Sequence, residues 1–326
     1  MNDRTSSAQR LADAERFLQH SGRLLERLRF AHTFLRSRAE APRASTRADK
    51  GPEAASRVVA ALRPYQNADG GFGQVLEPDF RGPVSQPLCV EQAFRTLDEL
   101  TLPDVFHDPL VTQALAYLSQ ISAPDGGVPN VLLTAGSYPR APWWQPDPAQ
   151  RGSLLPTASI AGLLYKHRVE HTWLRAATSF CWQALDAMPA RLASATERLP
   201  VLQALYETRA AIVFLDHVPE RARAEQTART LGMALHEKGL FRGTPGGEIE
   251  LAAALDFAHQ PDSLARRWFD DTQIESGLVQ LLASQQPDGG FPITWHVWTP
   301  LAGMEWRGIQ TIERLKTLRA YDRLSA

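Results

Sequence analysis

The chain has 326 residues, 44% of them hydrophobic, and a formal net charge of -1. That length and apolar content bury a large core, and no Pro/Gly/Ser-rich linker divides the middle of the chain, so one repeat domain is favoured over two ordinary ones. The charge balance gives no electrostatic argument for nucleic acid, two cysteines do not make a disulfide framework, and no stretch approaches the 18 or so apolar residues of a membrane span.

Cys89 and Cys181 sit in apolar helical contexts and no signal peptide precedes them, so the expected protein is soluble and cytoplasmic. The first element is a helix from about Ser7 to Arg36, rich in arginine with acids interspersed, read as a solvated helix followed by a polar loop. Residues 1–53 are accordingly expected as an N-terminal helix and loop packed on the main domain, 54–326. An apolar segment with helical spacing follows, with Val58, Val59, Ala61 and Leu62 on one face.

A recurring phrase then sets the architecture. Gln66-Asn67-Ala68-Asp69-Gly70-Gly71-Phe72-Gly73 returns as Ala123-Pro124-Asp125-Gly126-Gly127-Val128-Pro129 and as Gln285-Gln286-Pro287-Asp288-Gly289-Gly290-Phe291-Pro292. The last two aspartates are about three steps of ~54 residues apart, which leaves room for two degenerate copies, placed near Trp182 and near Gly239. Each phrase ends an apolar helix and is followed by an irregular stretch and a second helical segment: 87–97, 156–165, 249–257 and 306–318. Glycine tolerates the positive φ that ends a helix, and aspartate caps the tight turn with its own side chain. The prediction is an all-α single toroid of about five or six helical hairpins, preceded by the N-terminal helix packed across the ring.

The phrases at 66–73 and 285–295 resemble the glutamine, Asp-Gly-Gly and aromatic repeat of the squalene and oxidosqualene cyclases and the β subunits of protein prenyltransferases. The resemblance covers roughly residues 54–320 and implies an α/α toroid, with outer and inner rings of helices around a cavity. It also has departures. The Asp-x-Asp-Asp motif with which class II terpene cyclases protonate their substrate does not occur, and no histidine stands in a phrase matching the prenyltransferase zinc set, so no metal or organic cofactor is expected. The acidic pair Asp270-Asp271 reads as a helix start, with Asp271 as the N-cap.

In such a ring, the loops after the Asp-Gly-Gly turns and the first turns of the inner helices face the cavity mouth. Glu77, Asp79 and Arg81 crowd five residues between prolines, where arginine can keep one carboxylate ionised while desolvation lets the other donate a proton; pairing of Asp79 with Arg81 to stiffen the loop is the alternative. Glu305 is expected in the first turn of the last inner helix, anionic beside the helix dipole and suited to be a base or an arginine anchor. Tryptophans in candidate loops, Trp143, Trp144, Trp295, Trp298 and Trp306, suit an apolar chain or a carbocation through cation-π attraction, and 137–147 reads as a lid or wall. Arg81, Gln86, Glu248, Asp256 and Arg307 complete the expected substrate contacts, Asp256 and His259 lying three apart near a helix end.

The function expected is a terpene-cyclase-like lyase or isomerase acting on an apolar, isoprenoid-like molecule, with Glu77, Asp79 and Glu305 as catalytic acids and bases. A lipid- or peptide-binding toroid without chemistry and a carbohydrate-active α/α-barrel enzyme remain open. The partner expected is a small molecule, with no nucleic acid.

Overall fold

The computed structural model describes residues 2–35, 51–100, 102, 104–241 and 254–324, the side chains of 2–6 and 51 excepted. Among these, twelve α-helices alternate between an outer and an inner layer: α1 (Asn2–Ser21), α2 (Leu24–Phe30), α3 (Gly51–Leu62), α4 (Pro87–Asp98), α5 (Pro109–Ile121), α6 (Leu154–Lys166), α7 (Thr172–Ser194), α8 (Arg198–His217), α9 (Arg221–Glu237), α10 (Ala254–Phe257), α11 (Asp271–Ala283) and α12 (Pro300–Ala320). Even-numbered helices form the inner ring and odd-numbered ones the wall, giving six hairpins. Burial separates the layers: α4 buries ten of its twelve residues, while α11 buries three of thirteen. No described helix is long and apolar enough to cross a membrane.

The repeated phrase works as a seat for the next hairpin. Asp69, Asp125 and Asp288 each accept from the backbone N–H two residues on, at 2.9 to 3.0 Å. Gln66 donates to Gly70 O of its own turn and to Leu110 O in α5, both at 2.9 Å. Gln285 does the same to Gly289 O and to Arg10 O, in α1. For the last turn, then, the next outer helix is the first one in the chain, and α1–α2 is the hairpin that closes the ring. The helix expected over 7–36 is two helices, parted at Ser21–Gly22, with α1 against α12 and α2 between α12 and α3. Arginines expected on a solvated face turn inward: Arg29 is fully buried.

Two further differences are local. Trp182 lies mid-helix in α7, packed edge-on to Phe214 and under Arg223. The α7–α8 turn falls at 195–197, without glycine, whereas the turn at Gly239 stands, with φ +72°. The N-cap of α11 is Asp270, which forms a capping box with Gln273, while Asp271 pairs with Arg266.

Gly289 has φ +92°, and a Cβ there would meet Asp13 O of α1 at 2.0 Å; at Gly239 the same atom would meet nothing. We therefore expect Gly239→Ala to cost about 1–2 kcal/mol, the left-handed penalty alone. Gly289→Ala should cost clearly more and loosen the α1–α11 contact, as read by urea unfolding of both variants.

Candidate functional site

The described post-turn loops and the N-termini of the inner helices lie at one end of the ring, and the candidate acids Glu77 and Asp79 are there. The loop leaving the first turn is bent by two consecutive residues with left-handed backbone, Gln74 (φ 54°) and Val75 (φ 65°). A β-branched residue in that region is strained. Arg23, the N-cap residue of α2, holds the bend by donating to Val75 O at 2.9 Å and Leu76 O at 3.2 Å, while pairing with Glu26 at 2.8 Å through both Nε and Nη2. The bend drives Glu77 and Asp79 inward, to 5% and 3% exposure.

The expected wall at 137–147 is stapled to this loop by its backbone. Arg81 N donates to Pro139 O at 2.9 Å and Ala141 N to Asp79 O at 2.8 Å, a two-residue antiparallel bridge across Phe80 and Arg140. Arg140 in turn donates to Trp144 O at 2.8 Å, fixing the Trp143-Trp144 turn over the carboxyls.

Four indoles converge there. Trp144 faces Glu77, and the N–H groups of Trp306, Trp298 and Trp143 face Asp79. Trp144, Trp298 and Trp306 stop short of normal hydrogen-bond geometry, and Glu77 Oε2 is likewise buried without a partner. Orphaned donors and an orphaned acceptor around one point describe a site that a ligand or water atom completes. Behind Glu77 is a void of about 10 Å³, walled by Phe80, Gln86, Leu88, Cys89, Val131 and Trp144 and at the margin for a single water. Trp295 lies one step out, edge-on to Trp306 at 5.2 Å.

Electrostatically the two acids form one unit. Burial first, and the Asp79 charge second, push the Glu77 carboxyl well above the usual carboxylate range. Burial raises Asp79 to about 6 against the pull of the three indoles and Arg81. Both carboxyls therefore keep a proton to higher pH than they would in water, and they titrate as a pair. Burial also pushes the neighbouring Cys89 thiol up to about 12, so it is no nucleophile at this pH.

The remaining expected residues divide by partner. Arg81 pairs with Glu305 at 2.5 Å rather than with Asp79, and because α12 starts at Pro300 with Thr299 as N-cap, Glu305 lies in its second turn. Gln86 spends its amide on Leu132 N and Thr134 Oγ1. Arg307 is not at the mouth: it grips Asp288 through both Nη atoms at 2.8 Å, taking the place that Ser85 and the Gly152 N–H fill at Asp69 and Asp125. Asp256 is deep in the ring, 3.2 Å from Arg314. Glu248 lies outside the described residues. Arg23 was not singled out from sequence, because nothing in a run of helix-spaced arginines distinguishes it.

The chain is similar along 97% of its length to a protein from Actinoplanes, covering 99% of that chain, with a TM-score of 0.55 at 17% identity. It is also similar to type II terpene cyclase MstE from Scytonema. A variant of that protein in complex with geranylgeranyl dihydroxybenzoate, its substrate, aligns over 99% of both chains with TM-score 0.54 and 12% identity, and the apo form over 98% and 100% with TM-score 0.52 and 11% identity. The fold is a terpene-cyclase-like toroid. No family model matches the chain, and no curated protein matches it in sequence.

A carboxyl raised by burial keeps its proton in the native state after the unfolded chain has lost it, so stability falls as pH climbs from the ordinary glutamate value through the raised one. We expect the melting temperature of the wild type to drop between pH 5 and 8 relative to Glu77→Gln, which should be the more stable protein at pH 8. Arg23→Met, which strands Glu26 and releases the Val75 bend, should lose about 3–5 kcal/mol in chemical denaturation.

Proposed function

We propose that the protein is a cyclase-like lyase or isomerase that protonates an isoprenoid-like substrate at the mouth of the ring. The observation that carries this reading is a pair of buried carboxyls, Glu77 and Asp79, beneath four indoles. Glu77 would give its proton to an alkene carbon, whose π pair forms the new C–H bond. The cation left on the other carbon would be closed by a second alkene of the same molecule. A proton lost from the closed product returns to the carboxyl pair, so the step is an isomerisation and the acid is reset.

Each part of the site has a matching task. A carboxyl whose pKa is raised by an apolar wall would still hold its proton at a pH where one in water has lost it, as a general acid must. Indole faces stabilise cationic carbon without capturing it. Asp79, when ionised, would offset the charge as it forms, with the indole N–H groups opposing the rise that burial gives its pKa. The cage is closed around a void of one water, so the tryptophan-bearing loops at 137–147 and 292–299 would part to admit substrate. The Arg81–Glu305 ion pair weighs against the paired-carboxylate hydrolase reading, because it takes up the second acid that mechanism needs. The toroids of the MstE structures, one of them holding an isoprenoid substrate, support the substrate class by analogy of fold.

The test is chromatographic and NMR analysis of products after incubation with geranylgeraniol, geranylgeranoic acid and squalene, since cyclised isomers share the mass of the substrate. A cyclised product should form with the wild type. Glu77→Gln should lower its rate by about 10²–10⁴-fold, and Asp79→Asn should lower it too. An unchanged rate in Glu77→Gln would overturn the assignment of the acid.

A further inference from the structure

Below the carboxyl pair the ring is not lined as an isoprenoid tunnel would be. Side chains from α2, α4, α8, α10 and α12 meet on its axis, and they are charged. Arg29 pairs with Glu99 at 2.7 Å and lies 3.6 Å from Glu313. Lys316 pairs with Glu99 at 2.9 Å, and Arg314 with Asp256 at 3.2 Å. Arg95 lies near Glu313 and near Glu91, one turn closer to the mouth on α4, but only at 3.7 Å in each case.

Arg209 completes the group from α8, across the axis. Among the described residues it makes no hydrogen bond and no ion pair, although it shares the interior with Arg95, Arg314, Asp256 and Glu313. The described axial cluster sets five cations, Arg29, Arg95, Arg209, Arg314 and Lys316, against Glu91, Glu99, Asp256 and Glu313, with Glu26, 3.6 Å from Arg29, shared with Arg23. Space is present beside them: Arg95 keeps 32% of its side chain accessible and Lys316 24%, although both lie inside the inner ring.

A guanidinium kept inside the ring with acids near it but none in an ion pair among the described residues is costly, and it would stabilise an anion that arrives there. We propose that the ring axis around Arg209, Arg95 and Arg314 seats an oxyanion headgroup, carboxylate or phosphate, carried by the substrate whose alkene Glu77 protonates. This rests on the acid–base reading above. The geometry sets a ruler as well: Cys89, which neighbours Glu77, and Arg95 are six residues apart on α4, about 9 Å along the helix axis. The headgroup would anchor one end of the molecule and place a double bond roughly that far away under the tryptophans.

The test uses the full-length Glu77→Gln protein, which binds without turnover, and calorimetry with farnesoate, farnesyl monophosphate, farnesol, decanoate and inorganic phosphate. At least one farnesyl anion should bind about ten- to a hundredfold more tightly than farnesol, and adding Arg209→Gln should remove that advantage while leaving farnesol unchanged. Arg209→Lys should retain part of it. Because Arg209→Gln strands no ion-pair partner among the described residues, it should fold and melt at a higher temperature than its parent, which a merely structural arginine would not do. The better of the two farnesyl anions identifies the headgroup. Equal affinity for anion and alcohol, or no effect of Arg209→Gln, would overturn the proposal. Arg209-dependent binding of decanoate or phosphate with no farnesyl compound bound would keep the anion seat and overturn the isoprenoid reading. If none of the anions binds, the anion seat is wrong, whatever the fate of the acid.

Discussion

Everything in this molecule depends on a glycine turn pressed against the backbone of the next outer helix. The turn can approach that closely only because it lacks a Cβ, and it is held there by a glutamine that bonds its own turn and its neighbour together. At three of the turns, Gly70, Gly126 and Gly289, this contact sets where the next outer helix lies. The consequence is a ring whose inner helices all begin at one end, where the long loops between turn and helix must also lie. Those loops carry Glu77, Asp79 and the tryptophans, so the position of the candidate site follows from the way the wall is assembled.

At the mouth, two demands conflict. A proton donor needs burial, which disfavours its charge, and it needs a nearby anion to stabilise the cation it creates, which raises the cost again. The loop places the two acids two residues apart, both buried, with the indole donors facing mainly Asp79, an arrangement that would meet both. The strain of the Gln74–Val75 bend is borne by Arg23, whose carbonyl contacts tie the site to the hairpin that closes the ring. An assembly in which α2 is displaced is therefore one in which Glu77 is no longer aimed.

The fold was largely legible because the turn that builds it is a short contiguous phrase. Where its contacts were replaced, as at 195–197, the phrase vanished and the copy was placed inside α7 instead. The acids were legible for a similar reason, lying together between prolines. The arginines were not. A helix that faces a polar axis shows the same spacing of charge as one that faces solvent, so Arg23 and Arg29 read as a wet surface and Arg95 and Arg209 drew no attention. Arg307 was misplaced because its partner, Asp288, stands 19 residues earlier, in a turn that looked complete without it. Partners far apart in sequence leave no periodic trace.

A ring of six hairpins has six seams, and a linear chain can cross only five of them with peptide bonds. The uncrossed seam, between α12 and α1, is held by Gln285, Arg10 and the seat of Gly289 on Asp13, groups about 275 residues apart. Bringing such distant segments together carries the largest loop-closure entropy in the molecule. Closure there would be the last event in folding and the first to reverse, so the seam would be the ring's point of breathing. Because the hairpin on one side of it supplies Arg23, the aim of the acid would open and close with it.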